Sequence, residues 1–132
     1  MQGLHLTADL RGCPLAQPAM TDPNALRTLC LAAVAEAGLQ AVGELFHRFQ
    51  AAPGQAEDNA GVTGVVLLAE SHLAIHTWPE LAAVTLDVYV CNLGQDNSAR
   101  AETLMARLQQ AFGASETECH RLQRGGRLLQ TI

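Results

Sequence analysis

Val65-Val66-Leu67-Leu68-Ala69 runs directly into Glu70-Ser71-His72-Leu73-Ala74-Ile75-His76-Thr77-Trp78-Pro79-Glu80. The apolar run, preceded by Gly64, reads as a buried strand. The residues after it hold two carboxylates, the Ser71 and Thr77 hydroxyls, two imidazoles and the single tryptophan of the chain. Polar side chains delivered from a buried strand are held rigidly, as a reactive site requires. A strand that simply emerges into a polar turn before Pro79 is the plainer reading.

Working outward, Ala41 to Phe49 forms a strand with Leu45, His47 and Phe49 on one side and Phe46 and Arg48 on the other. Residues 51–60 are small and acidic and read as an exposed loop. Downstream, Ala83 to Val90 alternates cleanly, placing Leu86, Val88 and Val90 on one face and Asp87, Tyr89 and Cys91 on the other. The first strand is Leu4 to Leu10, ended by Gly12 and Pro14. Thr21-Asp22-Pro23 opens a helix whose stripe is Leu26, Leu29, Cys30, Val34 and Ala37, with Gly38 as its C-cap. Asn97-Ser98 caps a second helix with Ala101, Leu104, Met105, Leu108 and Phe112 inward, closed by Gly113. Thr117 to Gln123 is a last strand, followed by a frayed tail. Short links between consecutive strands favour antiparallel pairing. Two amphipathic helices on one face then give an α+β two-layer sandwich with a mainly antiparallel sheet.

The chain has 132 residues, 48% of them hydrophobic, and a net charge of −5. That is one domain, 1–132, with enough apolar content for a core. The eight basic residues, all Arg, form no cluster, so no nucleic-acid partner is expected. No run is long enough to span a membrane, and no secretion signal is present. A cytoplasmic location follows as an expectation. The four cysteines are widely spaced and are expected as thiols there.

Glu70-Ser71-His72 with Ile75-His76-Thr77-Trp78-Pro79-Glu80 resembles the self-cleavage motif of the small prokaryotic S-adenosylmethionine decarboxylases. The resemblance continues through Phe46-His47-Arg48-Phe49, Gly61-Val62-Thr63-Gly64, Asp87 and Cys91, and reaches back to Gly3-Leu4-His5-Leu6. It implies a self-processing proenzyme cut between Glu70 and Ser71. Ser71 attacks the Glu70 carbonyl to form an ester, and elimination followed by hydrolysis leaves a pyruvoyl group at position 71. His76 matches the histidine that assists elimination, and Thr63 a hydroxyl that helps. From residue type alone Thr63 is equally an ordinary strand residue. Cys91 matches the proton donor to the substrate α-carbon, Phe49 and Trp78 the rings that stack on adenine, and Glu80 the carboxylate on the ribose. The resemblance also implies a homodimer of processed units pairing around their sheets, and a role in spermidine synthesis.

Two alternatives stand beside that reading. The same pyruvoyl machinery serves decarboxylases of arginine or ornithine, for which Glu57 and Asp58 could pair with the cationic substrate. A His/Cys metal-binding module could use His72 and His76, four residues apart, but there is no H-E-x-x-H helix and no metal is expected. One difficulty is internal. In an unbroken strand Ser71 and His76 face opposite sides, so their cooperation needs a turn or bulge near Ser71, or action across a sheet edge.

Overall fold

The alternation in the sequence becomes alternation of burial. In the computed structural model, which describes residues 2–54, 56 and 60–126, Leu4, Leu6, Ala8 and Leu10 are buried on one side of the first strand. His5, Thr7 and Asp9, between them, are only partly covered. The strands are β1 (Gly3–Arg11), β2 (Ala41–Arg48), β3 (Val62–Leu68), β4 (Ser71–Trp78), β5 (Ala83–Cys91) and β6 (Glu116–Arg124). The helices are α1 (Pro23–Glu36) and α2 (Ser98–Phe112). All strands lie in one six-stranded antiparallel sheet of order β2-β3-β4-β5-β1-β6.

Both helices cover the same face. Leu26, Cys30 and Val34 of α1 and Leu104, Leu108 and Phe112 of α2 meet Leu73, Ile75, Val84, Leu86, Val88 and Val90 in one apolar cluster. Each such large side chain, fully buried, contributes roughly 1.5–3 kcal/mol. Burial pushes the Cys30 thiol up to about 12, because an apolar surround disfavours thiolate.

The helix ends show why the chain turns where it does. The Asp22 carboxylate accepts the Asn24 N–H at 2.9 Å, with Pro23 in the first turn. At the other end Gly38 takes φ +80°. Its N–H reaches the Ala35 carbonyl and the Leu39 N–H reaches the Val34 carbonyl, a paired closure that needs a left-handed residue. In α2 the structure departs from expectation. Asn97 sits at the N-cap, but its side chain makes no capping bond. Asp96 instead accepts the Ser98 N–H at 2.9 Å. Those bonds from Ser98 hold the Asp96 carboxyl below its usual range.

The remaining face of the sheet has no helix on it. It presents Leu45, Leu67 and Trp78 together with His5, His72, His76 and Asp87. Phe46 in β2 and Phe49 just beyond its end divide as their alternation demands. Phe46 packs against the core and lies so close over Gly64 that an added Cβ would stand 2.1 Å from its ring; Phe49 is half exposed. Of the 51–60 loop, Gln55 and Glu57-Asp58-Asn59 lie outside the described residues, as does the tail from Arg127.

Candidate active site

β3 and β4 are joined by a tight turn at Ala69-Glu70, with Leu68 opposite Ser71 in the ladder. Glu70 closes that turn at φ +58°, a left-handed conformation that costs a non-glycine residue roughly 1–2 kcal/mol. Ser71 follows as the first residue of β4. Its Oγ accepts the Cys91 N–H at 3.1 Å. The Cys91 carbonyl in turn accepts from the Asn97 amide at 3.0 Å, and Asn97 is fixed by Arg100 and Asn92. Thus Glu70, Ser71 and Cys91 form one group, at the end of the sheet beside a cavity lined by Gly38, Asn97 and Arg100.

A second group lies at the far end of β4. Thr63 Oγ1 and His76 Nδ1 are 3.0 Å apart on directly paired positions. The His76 and Trp78 rings are 6.3 Å apart, and the Trp78 indole N–H donates to Thr85 at 3.1 Å. Phe49, Thr63, His76, Trp78 and Glu80 line one cavity of about 190 Å³. Trp78 is 41% and Phe49 51% exposed, so both rings are available to a flat guest.

The structure therefore assembles the expected residues into two halves rather than one. Ser71 shares the helix-covered face with Leu68, whereas His76 shares the open face with Thr63. Five residues of extended strand separate them, about 17 Å. A turn does precede Ser71, yet it leaves the two on opposite faces. His72 and His76, about 13 Å apart along β4, do not converge either, so the pairing behind a metal-binding module is not formed. The His72 Nε2–H instead donates to the Asp87 carboxylate at 2.9 Å, as does that of His5. His5 and the clamp of Asn97 on Cys91 were not read as site features from the sequence. Only the partly polar alternation of β1 pointed toward His5.

The family model described as S-adenosylmethionine decarboxylase matches residues 4–125. The chain belongs to the S-adenosylmethionine decarboxylase family. Among relatives of the family, the S-adenosylmethionine decarboxylase proenzyme of Symbiobacterium thermophilum is 33% identical over 98% of this chain and 88% of its own length. That of Prochlorococcus marinus is 35% identical over 94% and 88%. For the proenzyme of Acetivibrio thermocellus, 37% identical, the match covers 67% of this chain and 64% of the relative's length. The crystal structure of the adenosylmethionine decarboxylase from Aquifex aeolicus superposes with a TM-score of 0.78 at 32% identity, covering 93% of this chain and 90% of that one. The family's α+β sandwich is thus the fold seen here.

Proposed function

We propose that this chain is the proenzyme of a pyruvoyl-dependent decarboxylase that acts on S-adenosylmethionine and supplies the aminopropyl donor for spermidine synthesis. The observation that carries the reading is local. A non-glycine residue in a left-handed turn, Glu70, stands immediately before a serine whose Oγ is gripped by the Cys91 N–H. Strain held at one peptide beside a positioned nucleophile is the arrangement that self-cleavage calls for. The curated relatives' name of proenzyme supports the same reading.

In maturation the Ser71 hydroxyl adds to the Glu70 carbonyl carbon. The peptide C–N bond breaks and its nitrogen takes the hydroxyl proton, leaving an ester. A base then removes the α-proton of residue 71 and the Glu70 carboxylate leaves. Hydrolysis of the resulting enamine releases ammonia and gives the pyruvoyl group. His76, hydrogen-bonded to Thr63, is the base of this reading. Ser71, with its anchored Oγ beside the turn, fits as the source of the group. Once formed, that group supplies a carbonyl electron sink for decarboxylation. The chain's own residues do the rest: Phe49 and Trp78 hold the adenine, Glu80 the ribose hydroxyls, and Cys91 delivers a proton to the substrate α-carbon. That three nucleoside contacts line one cavity supports S-adenosylmethionine over arginine or ornithine, which offer no ring to stack. Glu57 and Asp58, which favoured the cationic amino acids, lie outside the described residues.

The separation of the two halves supports a homodimer. A second copy packed on the open sheet face covers Leu45 and Leu67, which are 70% and 50% exposed, and its His76 group reaches the Ser71 group of the first around the sheet end, since Ser71 itself lies on the helix-covered side. Four free cysteines support a reducing, cytoplasmic setting. No helix among the described residues is long and apolar enough to cross a membrane.

Purified protein should run under denaturing conditions as two fragments parted at Glu70–Ser71, with the second blocked at its N-terminus, while Ser71→Ala stays whole. Cleavage of Ser71→Ala at that bond would sink the mechanism. Refolding Ser71→Ala together with His76→Ala tests the shared site: mixed dimers should cut the His76→Ala chain, and failure to do so would place both halves' chemistry in one chain.

A further inference from the structure

The open sheet face carries a side-chain cluster that the cleavage and decarboxylation reading does not use. His5 on β1 and His72 on β4 both stand opposite Tyr89 of the intervening β5. Asp87 lies two residues along β5 on the same face, and its Oδ2 is 2.9 Å from the Nε2 of each imidazole. One ligand atom from each of the three falls within 4.8 Å of the others. The side chains are 18%, 38% and 29% exposed for His5, His72 and Asp87, so the cluster is seated in the sheet but open above.

We propose that His5, His72 and Asp87 form a binding site for a first-row divalent cation, Zn²⁺ or Co²⁺ in preference to Mg²⁺. Two neutral imidazoles and one carboxylate are the donor set such ions favour, whereas Mg²⁺ prefers oxygen and retains water. Tetrahedral ligands held about 2.0–2.1 Å from zinc stand about 3.3 Å from one another. The nitrogen–oxygen separations need to widen by only a few tenths of an ångström, roughly what side-chain adjustment on a sheet allows. The remaining coordination position points away from the helices, toward the face on which the proposed second copy packs. Three strands support the ligands, so the geometry is set by the ladder rather than by a loop.

Arg124 opposes the metal in a way that can be tested. Its Nη1 lies 3.0 Å from His5 Nδ1. A guanidinium only donates, so His5 Nδ1 is bare and the ring proton sits on Nε2, pointing at Asp87. A cation at Nε2 displaces that proton, and the tautomer that binds metal carries its hydrogen on Nδ1, facing the Arg124 donors. Arg124 lies on the exposed edge strand and must turn away. Arg124→Gln, which offers a carbonyl acceptor to an Nδ1–H, should therefore tighten binding.

The site stands independently of self-cleavage, because Ser71→Ala retains all three ligands. The experiment uses that uncut chain, stripped with chelator, titrated with Co²⁺ by visible absorption and with Zn²⁺ by calorimetry. One ion per chain is expected, with Zn²⁺ tighter than Co²⁺ and Mg²⁺ far weaker. His5→Gln and Asp87→Asn should each weaken Co²⁺ binding by at least the roughly 10–100-fold that loss of an outer partner costs. His76→Gln should leave it alone and Arg124→Gln should tighten it, which also shows that the surface variant folds. Absence of a 1:1 Co²⁺ complex, or equal affinity in His5→Gln, Asp87→Asn and Arg124→Gln, overturns the proposal and leaves a hydrogen-bonded His–Asp–His network only.

Discussion

Thr77 is the buried polar side chain among the described residues, 4% exposed, and its hydroxyl does two jobs at once. It donates to the Met20 carbonyl at 2.8 Å and accepts the Val62 N–H at 2.9 Å. Val62 and Met20 are themselves fully buried, so neither group has water to fall back on. Thr77→Val keeps the shape and opens no cavity, yet removes both bonds. Each orphaned buried group costs about 1–3 kcal/mol. With a small gain from the added methyl, the net loss should be about 3 kcal/mol. Thr77→Ser keeps the oxygen and loses one methyl, for about 1 kcal/mol. For a chain of this size, 3 kcal/mol lowers the melting temperature by roughly 10–15 °C. The measurement is urea unfolding in a Ser71→Ala background at fixed protein concentration, so that neither processing nor assembly varies. The midpoint should fall by roughly 1.5 M for Thr77→Val with the slope unchanged. A Thr77→Val midpoint within experimental error of the parent, or Thr77→Ser as damaging as Thr77→Val, refutes the argument that the hydroxyl is what holds β3 to the Pro18–Met20 turn.

Phe49→Ala should lower S-adenosylmethionine turnover by about one to two powers of ten if base–aromatic stacking of roughly 1–3 kcal/mol is lost. Offering the mature enzyme arginine and ornithine as well, with carbon dioxide release as the readout, checks the substrate; release from either of these and none from S-adenosylmethionine overturns it. Cys91→Ala should still process, since the bond to Ser71 comes from the backbone N–H, but should decarboxylate poorly or release misprotonated product. Unchanged rate and clean product would make Cys91 a packing residue. Alkylation of the native protein should label exposed Cys119 and spare Cys30. Burial raises the Cys30 pKa to about 12, so it stays a neutral thiol at mildly alkaline pH and reacts only after unfolding; equal labelling of the two by mass spectrometry contradicts its burial.

Local physics made most of the fold legible. Alternation in Leu4–Leu10 and Ala83–Val90, the Asp22-Pro23 start and the Gly38 stop are each decided within a few residues, and the structure keeps them. Placement of β1 between β5 and β6 was not legible, because it joins segments far apart in sequence and nothing local records which edge a strand will take. Phe46 and Phe49 show the same division. Alternation put them on opposite faces, but only the sheet showed that the core lies under Phe46. Asn97 misled for a different reason. A residue type suited to capping was drawn to a carbonyl, that of Cys91, which the fold brought within reach. His5, His72 and Asp87 come from three strands, and their convergence depends on register rather than on spacing.

The position of the Ala69-Glu70 turn within the strand order has a mechanical outcome. A cut after Glu70 assigns β1, β2 and β3 to one polypeptide and β4, β5 and β6 to the other. In the sheet these do not lie side by side as two blocks: β1 of the first is threaded between β5 and β6 of the second, while β3 and β4 remain hydrogen-bonded neighbours at the cut. The two products are interlaced like the fingers of clasped hands. Separating them means stripping β1 out of ladders on both of its edges as well as opening the β3–β4 seam, so they cannot swap partners without unfolding. Cleavage at that bond would therefore have to follow folding, and fragments made separately should assemble slowly, since β1 must find a slot that neither polypeptide can form alone.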